Sequence, residues 1–361
     1  MPPSVSDADR PDPPQPAPAG PAGAVTATGI GSWPGTDVRE ALRVVLGQLT
    51  TSVPEGVVGV PYLPELPARG PGADLLGRAA HLLVDLPVDL QPQGWRLVDR
   101  PGRDHDRTGA WWRQDLDELA EVFDGYYGPL KLQVAGPWTL ATGVWLPLGD
   151  RVLSDPGASR DLVSSLAEGV AGHVADVRRL VPGAEVVLQL DEPSLTAVSL
   201  GRVRSESGYS VLRTPEPAEL VDALRDVVDA ARGAGAALVA VHSCAPDVPL
   251  DLLRRSGVDA VSLDTALLRR PGWEAVAGLL DAGVRLWAGA LPTDGPGTPT
   301  APEHVERLLT SWRELGLPLA DLVTLTVTPS CGLAGSTPEA ARAMTVTTTQ
   351  VAARLAEAAV G

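Results

Sequence analysis

Along the chain, short runs that are apolar on both faces alternate with longer segments whose apolar residues recur every three or four positions. The first pattern is typical of buried parallel strands and the second of amphipathic helices packed against them. We therefore predict eight strands, at residues 25–30, 57–62, 130–135, 185–190, 237–242, 260–263, 285–288 and 322–327. The helices predicted between and after them span residues 37–49, 115–123, 160–180, 217–234, 273–280, 302–315 and 338–358.

The alternation of strands and helices favours a parallel α/β fold, and eight such units favour a (β/α)8 TIM barrel with loop insertions. Residues 94–109 are polar and contain glycine, and they are predicted to be one such insertion. A Rossmann fold is the weaker alternative, because residues 29–34 after the first strand have the wrong glycine spacing and include a proline. Helix starts are indicated by three residue pairs, Thr36-Asp37, Thr214-Pro215 and Thr337-Pro338.

Residues 24–361 are predicted to form this single barrel, preceded by a disordered tail at residues 1–23. The tail is rich in Pro, Ala, Gly and Asp, and it lacks the charged-then-apolar order of a signal peptide. We therefore expect a cytoplasmic protein, in which the chain's two cysteines, Cys244 and Cys331, stay reduced. Such a pair is more often buried, metal-binding or reactive than a structural disulfide.

Charge and hydropathy exclude two classes of partner. The 361 residues include 29 Lys and Arg against 45 Asp and Glu, which gives a net charge of −16. Nucleic acids and anionic membranes both require clustered basic residues, and Lys131 is the chain's single lysine. No apolar run reaches about 18 residues, the length that a membrane helix needs. Small-molecule substrates are the partners that remain.

Polar or special residues follow six of the predicted strands at the point where each apolar run ends. In a parallel barrel these positions share one rim, where the active sites of this fold are found. They are Ser32, Gly136-Pro137, Asp191-Glu192-Pro193, His242-Ser243-Cys244, Asp264 and Pro329-Ser330-Cys331-Gly332. We therefore expect a functional site at this rim.

His242 and Cys244 lie two positions apart, so on an extended strand both side chains point to the same side. Cys331 can supply a second thiolate across the barrel mouth, and thiolate plus imidazole ligands select Zn²⁺ over Mg²⁺ or Ca²⁺. The alternative is a core histidine beside an inert buried thiol. Asp264 is predicted as an oxygen ligand, or else as the cap of the following helix. Zinc among thiolates favours activation of a substrate thiol over hydrolysis.

Five segments together resemble the C-terminal catalytic barrel of cobalamin-independent methionine synthase. In chain order they are Ile30-Gly31-Ser32-Trp33-Pro34, Ala135-Gly136-Pro137, Leu190-Asp191-Glu192-Pro193, His242-Ser243-Cys244 and Pro329-Ser330-Cys331-Gly332-Leu333. The resemblance runs from about residue 27 to the C-terminus, and the series His-x-Cys, acidic residue, Cys-Gly-Leu is its specific part. The chain resembles a short, single-barrel member, because nothing in it matches the family's N-terminal barrel.

The resemblance implies Zn²⁺ at these His and Cys residues, with Asp264 in place of the family's longer glutamate ligand. It further implies that three residues hold the carboxylate of homocysteine, namely Ile30, Gly31 and Ser32. The ammonium of homocysteine is implied to pair with Asp191, and Glu65 is the candidate for a second carboxylate. The alternatives are a turn residue at Ser32, a helix cap at Asp191 and a solvated loop charge at Glu65.

The part of the pattern that would bind folate is less complete. Ala197 stands where the family has a pterin-binding glutamate, and residues 291–298 lack its acid–base histidine, since His304 lies in the following helix. Trp145 is predicted to contact the pterin of the donor, although Trp138 competes, and either tryptophan can instead be core packing. A polyglutamyl folate also needs basic residues to bind its negatively charged tail, whereas this chain is acidic.

We therefore expect a zinc-dependent S-methyltransferase that makes methionine from homocysteine, with a methyl-folate of the 5-methyltetrahydropteroyltriglutamate type as donor. A methylated corrinoid protein or another small methyl donor is an alternative. A uroporphyrinogen-decarboxylase-like enzyme is less favoured. Its chemistry requires arginines clustered near the end of the first strand, whereas Arg39 and Arg43 are predicted on the helix at residues 37–49. A zinc-bound barrel that carries or senses a thiol without catalysis is the third possibility.

Overall fold

The computed structural model describes residues 23–293 and 300–361. The predicted tail, apart from Gly23, lies outside the described residues, as do residues 294–299 of the segment that lacks a histidine. Strands in the described part are β1 Val25–Thr28, β2 Val57–Val60, β3 Val88–Gln91, β4 Gly94–Leu97, β5 Gly128–Ala135, β6 Ala184–Asp191, β7 Leu238–Ser243, β8 Ala260–Asp264, β9 Arg285–Leu291 and β10 Thr326–Pro329.

Eight of these strands form one parallel sheet, in the order β2, β1, β10, β9, β8, β7, β6, β5. The two outer strands meet just beyond the end of β2, where Tyr62 is bridged to Lys131 in parallel. The Leu63 N–H donates to the Lys131 carbonyl at 3.0 Å, and the Lys131 N–H donates to the Pro61 carbonyl at 2.9 Å. The sheet is therefore closed into a barrel, and the predicted (β/α)8 TIM-barrel fold is confirmed.

Helices surround the barrel because their apolar faces cover the outside of the buried strands. The α-helices of the described part are α1 Val38–Leu46, α2 Leu75–His81, α3 Arg103–Val122, α4 Pro137–Gly143, α5 Pro156–Leu180, α6 Leu195–Ser199, α7 Pro217–Gly233, α8 Leu250–Arg255, α9 Arg270–Asp281, α10 Ala301–Glu314 and α11 Pro338–Val360. Each predicted helix is present, and four shorter helices, α2, α4, α6 and α8, were not predicted. Within the described ranges, no helix combines the length and apolar character needed to cross a bilayer.

Two of the three predicted helix starts are side-chain caps. The Asp37 carboxylate accepts the Glu40 N–H at 3.0 Å, and the Thr337 side chain accepts the Ala340 N–H at 3.2 Å. The third prediction was wrong in detail, because α7 begins at Pro217 after Glu216, which makes no side-chain cap. A proline in the first turn starts this helix without a capping side chain, since its missing N–H would have no partner there.

The observed elements differ from the predicted ones at two further places. β10 begins four residues later than predicted, because Leu319–Thr324 forms a 3-10 helix first. The predicted insertion at residues 94–109 is largely regular, since β3 and β4 pair as an antiparallel hairpin and α3 already begins at Arg103. Acidic residues in the first turn of α3 interact favourably with the positive end of the helix dipole. The predicted helix bounds rested on apolar spacing and did not include this signal.

A histidine and tryptophan cluster joins α2, α3 and α5. The Trp112 ring centroid lies 4.6 Å from that of His173, and the rings of His81 and His105 are 4.7 Å apart. Burial lowers the pKa of His173 to about 3 and that of His81 to about 4. These imidazoles are therefore neutral in the folded protein at pH values at which the unfolded chain would protonate them.

We expect His173→Leu to reduce the loss of stability in mild acid. A histidine whose pKa is lowered by folding takes up its proton in the unfolded state first, so the folded state loses stability as pH falls below about 6.5. Between pH 7.5 and 5, His173 should cost the wild type about 2 kcal/mol relative to the variant. Urea unfolding of both proteins across this range measures the difference, and parallel pH curves would contradict the assignment.

Candidate metal centre and substrate site

Three side chains from two strand ends converge at the rim of the barrel. His242 is on β7, Cys244 follows that strand directly, and Cys331 follows β10. One ligand atom of each residue lies within 4.8 Å of the other two, and the two Sγ atoms are 3.5 Å apart. In the part of the chain that the structure describes, this is the group of His, Cys, Asp and Glu side chains that is close enough to hold a metal ion.

The His242 ring is oriented by a neighbour on the adjacent strand. Ser262 is its register partner on β8, and the Ser262 hydroxyl is 3.0 Å from Nδ1. The other ring nitrogen, Nε2, is buried and has no hydrogen-bond partner among the described atoms. A buried imidazole nitrogen without a partner is costly in a finished core, so this arrangement is suited to a ligand position.

The two thiols share one negative charge in this arrangement. The hydrogen bond from Cys244, together with the nearby His242 imidazole, lowers the pKa of the Cys331 thiol. The same hydrogen bond to Cys331, together with burial, raises the pKa of Cys244. The short contact therefore favours one thiolate in the pair, and a bound cation would favour deprotonation of both.

Asp264 ends β8 on the strand next to His242, but its carboxylate is not part of the group of three. One of its oxygens accepts the Ala266 N–H at 2.9 Å and caps the 3-10 turn Thr265–Leu267. The capping role that the sequence left open is therefore observed. Metal coordination by Asp264 stays a prediction.

The loop after β1 is fixed against the loop that carries Cys331. The Leu333 N–H donates to the Ser32 carbonyl at 3.0 Å, and the Ala334 N–H lies 3.3 Å from the Ser32 hydroxyl. A Cβ atom at Gly332 would lie 2.1 Å from that hydroxyl oxygen, so a side chain there would displace the Ser32 hydroxyl from its observed position. The Gly-Ser and Cys-Gly-Leu motifs, about 300 residues apart in the chain, are thus one structural unit.

Gly31, in the loop after β1, is constrained to be glycine in two ways. Its φ of +150° lies in the region that other residues rarely adopt, and a Cβ there would meet the Gln133 side chain at 2.6 Å. The Gly31 carbonyl accepts the Glu65 N–H at 3.1 Å, and the Glu65 carbonyl accepts the Trp33 N–H at 2.8 Å. The residues predicted to bind the carboxylate of the substrate are therefore held beside Glu65.

Two carboxylates predicted to receive the substrate ammonium are both buried at this end of the barrel. Asp191 is the register partner of His242, and its Oδ1 accepts the Gln189 side-chain N–H at 2.7 Å. Burial raises the pKa of Asp191, and it raises that of Glu65 to about 7. The Arg78 guanidinium, 3.4 Å from Glu65, acts in the opposite direction. Neither residue is a solvated surface charge or a helix cap, so a substrate-binding role for both stays open.

Glu192, beside Asp191 in the sequence, serves the fold instead. Its carboxylate accepts the backbone N–H groups of Trp138 and Thr139 at 2.9 and 2.8 Å, together with the Thr139 hydroxyl. It therefore completes the first turn of α4 from the end of the neighbouring strand β6. The Asp-Glu-Pro and Ala-Gly-Pro motifs are linked by this contact, since a Cβ at Gly136 would lie 2.4 Å from the Glu192 carboxylate.

The two competing tryptophans have different surroundings. Trp138 is fully buried, and its indole N–H donates to the Leu220 carbonyl at 3.1 Å, which identifies it as a core residue. Trp145 lies at the edge of the β3–β4 hairpin, bridged to Arg96, and the Arg151 guanidinium sits 5.4 Å from its ring. Contact of Trp145 with a methyl donor stays a prediction.

Sequence reasoning missed the polar interior of the barrel. Lys131 and Gln133 on β5 and Gln189 on β6 are buried side chains directed into this interior, below the predicted substrate site. The signal was visible, because a lysine and two glutamines interrupt strands that are otherwise apolar. Residues of this kind are rarely buried without a partner, and here their partners are backbone carbonyls and one another.

A profile of the cobalamin-independent synthase catalytic domain matches residues 145–354. The chain belongs to this family. The matched range includes Asp191, His242, Cys244, Asp264 and Cys331, whereas the loop after β1 and Glu65 lie before it. Membership in the family makes this a catalytic barrel of the methionine synthase type.

One solved structure agrees with the fold of the family. A B12-independent methionine synthase from Shewanella sp. W3-18-1, in complex with selenomethionine, is 11% identical with a TM-score of 0.58, and the match covers 92% of this chain and 97% of that chain. A β-galactosidase from the psychrophilic Marinomonas ef1 is 15% identical over 92% of this chain and 59% of that chain, with a TM-score of 0.44. No curated protein matches the sequence.

We expect Ser262→Ala to weaken zinc binding about 10- to 100-fold, because the hydroxyl orients the imidazole of His242. Competition with a chromophoric chelator measures the affinity. Thr265→Ser, on the turn after the same strand, is the matched control and should leave zinc affinity unchanged. Equal affinities for Ser262→Ala and the wild type would contradict an orienting role.

Proposed function

We propose that this barrel is a zinc-dependent S-methyltransferase that converts homocysteine into methionine, with a methyl-folate of the 5-methyltetrahydropteroyltriglutamate type as donor. The observation that carries the proposal is the convergence of His242, Cys244 and Cys331 on one point of the rim. Membership in the cobalamin-independent synthase family supports the same chemistry.

The residues present fit a zinc ion. Two sulfur atoms and one imidazole nitrogen are the soft and borderline donors that Zn²⁺ prefers. In a tetrahedral zinc site neighbouring ligand atoms are about 3.5 Å apart, and the two Sγ atoms have this separation. The partnerless Nε2 of His242 completes the donor set, and Asp264 is the proposed further ligand.

Zinc held at these side chains would supply acidity, lowering the pKa of a substrate thiol so that its thiolate exists at neutral pH. The chain's own residues would bind and orient the rest of the amino acid. The backbone at Ile30 and Gly31 and the hydroxyl of Ser32 would receive the carboxylate, and Asp191 with Glu65 would receive the ammonium. Such anchoring at both ends fixes the thiol for in-line transfer, which needs sulfur and methyl carbon about 3–3.5 Å apart.

The methyl donor is the less supported half of the proposal. Trp145 is the proposed contact for a pterin ring, but α6 carries Ala197 where the family has a glutamate, and no histidine occurs in residues 291–298. These two observations favour a second candidate, in which a methylated corrinoid protein supplies the methyl group. A decarboxylase is not favoured, because Arg39 is on α1 and forms ion pairs with Glu118 and Glu121 of α3.

The test is a donor screen on protein whose metal content has been measured. Purified protein should contain one zinc per chain by elemental analysis, and it should form methionine from homocysteine with one donor of the panel. The panel contains methyl-folates with one and three glutamates and a methylated corrinoid, free and protein-bound. Stoichiometric zinc without turnover of any donor would favour a thiol carrier, and absence of zinc at full folding would contradict the proposal.

A further inference from the structure

Three buried charged side chains form a continuous set of ion pairs between α2, α3 and the loop after β2. Asp115 on α3 is 1% exposed, and its two carboxylate oxygens accept Nη1 of Arg69 and Nη1 of Arg78, each at 2.6 Å. The side chains of both arginines are buried as well. Charge-assisted hydrogen bonds of this length, shielded from water, hold the carboxylate and both guanidinium groups in place.

The two arginines extend from Asp115 to the two segments proposed to bind homocysteine. Nε of Arg69 donates to the Thr36 carbonyl at 3.0 Å, in the loop after β1. Nε of Arg78 lies 3.4 Å from Oε1 of Glu65, a proposed partner of the substrate ammonium. One carboxylate on a helix outside the barrel is therefore linked both to the loop that would receive the substrate carboxylate and to a residue that would receive its ammonium.

The Arg78 guanidinium is close to Glu65 without being hydrogen-bonded to it. Nη1 is engaged by Asp115, and the guanidinium carbon lies 4.8 Å from the centre of the Trp112 ring. Nε is buried and has no hydrogen-bond partner among the described atoms, because 3.4 Å is an ion-pair distance that is longer than a good hydrogen bond. Glu65 therefore has a fixed positive charge beside it, and this charge does not use a hydrogen bond of its carboxylate.

The ionisation of Glu65 depends on this contact. Burial raises the pKa of Glu65 to about 7, and the Arg78 guanidinium is the strongest of the charges that lower it. The other charged groups facing Glu65 are Asp191 on β6 and Asp115 on α3, which raise the pKa, and Lys131 on β5, which lowers it. Without Arg78 the pKa of this buried carboxyl should rise further, and Glu65 should then be neutral at pH 7.

We propose that Arg78 is a positioning residue that makes this site selective for a thiol bearing an ammonium group. Its guanidinium, held by Asp115 and Trp112, places a positive charge 3.4 Å from Glu65, so that the buried carboxyl meets the substrate ammonium as an anion. This inference rests on the proposed function, since it concerns how the same site recognises homocysteine.

The test compares homocysteine with 4-mercaptobutanoate, which has the same thiol and carboxylate but no ammonium, in zinc-loaded protein. The ratio of the inhibition constant of 4-mercaptobutanoate to the KM for homocysteine measures the preference. In Arg78→Met this ratio should fall about tenfold at pH 7, because the KM for homocysteine rises while the inhibition constant, kcat and zinc content stay near the wild-type values. Arg78→Gln, which also lacks the charge, replaces this variant if it does not fold.

The pH dependence of the same ratio separates a charge effect from a packing effect. The pH at which the preference for homocysteine increases should lie about one to three units higher in Arg78→Met than in the wild type, because Glu65 ionises later. Arg69→Met is the matched control, since Arg69 pairs with the same Asp115 carboxylate but ends at the Thr36 carbonyl. Its ratio should equal that of the wild type at every pH, even if both constants change together.

A double-mutant cycle with Glu65 decides the assignment. Arg78→Met should leave the ratio almost unchanged in a Glu65→Gln background, because the carboxylate on which Arg78 acts is gone. Equal losses in both backgrounds, or the same loss in Arg69→Met as in Arg78→Met, would overturn the inference while leaving the proposed function intact. Failure of the wild type to methylate homocysteine would overturn the proposed function, and this inference with it.

Discussion

Replacement of Cys331 by serine should remove zinc from the protein and abolish methyl transfer. A zinc site of four ligands is worth about 10–16 kcal/mol, so the loss of one thiolate should cost about 3 kcal/mol, or more than a hundredfold in affinity. Because Cys331 is 3.5 Å from Cys244, its loss also removes the hydrogen bond that stabilises the pair. His242→Ala should have the same effect, since the variant lacks the nitrogen donor of the group.

The measurement is elemental analysis of the purified variants after dialysis against a weak chelator, followed by the methionine assay. Ser243→Ala is the matched control, because Ser243 stands between two of the proposed ligands but points to the other face of the strand. It should keep one zinc per chain. Stoichiometric zinc in both Cys331→Ser and His242→Ala would refute the site.

Replacement of Asp191 by asparagine should raise the KM for homocysteine about a hundredfold. Truncating one partner of a buried charge pair costs about 2–5 kcal/mol, and asparagine keeps the size of the side chain while removing its charge. Asp191 is buried and held by Gln189, so its carboxylate is pre-organised to receive an ammonium. Zinc content should stay at the wild-type value, because Asp191 is not one of the three clustered donors.

Steady-state kinetics at saturating methyl donor separate KM from kcat in this experiment. The neighbouring Glu192→Gln is the control, since the Glu192 carboxylate receives backbone N–H groups of α4 and has no part in the proposed site. Its KM should stay within twofold of the wild type, although the free energy of unfolding should fall. If Asp191→Asn leaves the KM unchanged, Asp191 does not bind the substrate.

The fold and the location of the site followed from the pattern of the sequence. Strands that are apolar on both faces must be covered by helices, and parallel strands joined by helices close with the same right-handed sense. Their carboxyl ends then share one rim, so residues as distant in the chain as His242 and Cys331 were expected to meet. The boundaries of the elements were less well determined, as the 3-10 helix before β10 shows.

The roles of individual polar residues were less accessible. Glu192 and Asp191 are adjacent and chemically alike, yet one completes a helix start and the other faces the interior of the barrel. Strand alternation predicts that the two side chains point in opposite directions. The hydrogen-bond partners on each side, however, come from elements about 50 residues away in the chain. For the same reason the sequence left Asp264 open between a metal ligand and a cap; the structure shows the cap, and metal coordination stays a prediction.

The sequence by itself determined the barrel, the rim and the three donors of the proposed zinc site, because strand period and strand-end position are local properties. The tertiary structure alone decided that Lys131, Gln133 and Gln189 form a polar interior beneath the loop that follows β1. It also decided that Arg78 and Asp115, from helices outside the barrel, reach Glu65 and its surroundings. Such contacts depend on the register and closure of the whole sheet, and no stretch of the chain specifies them alone.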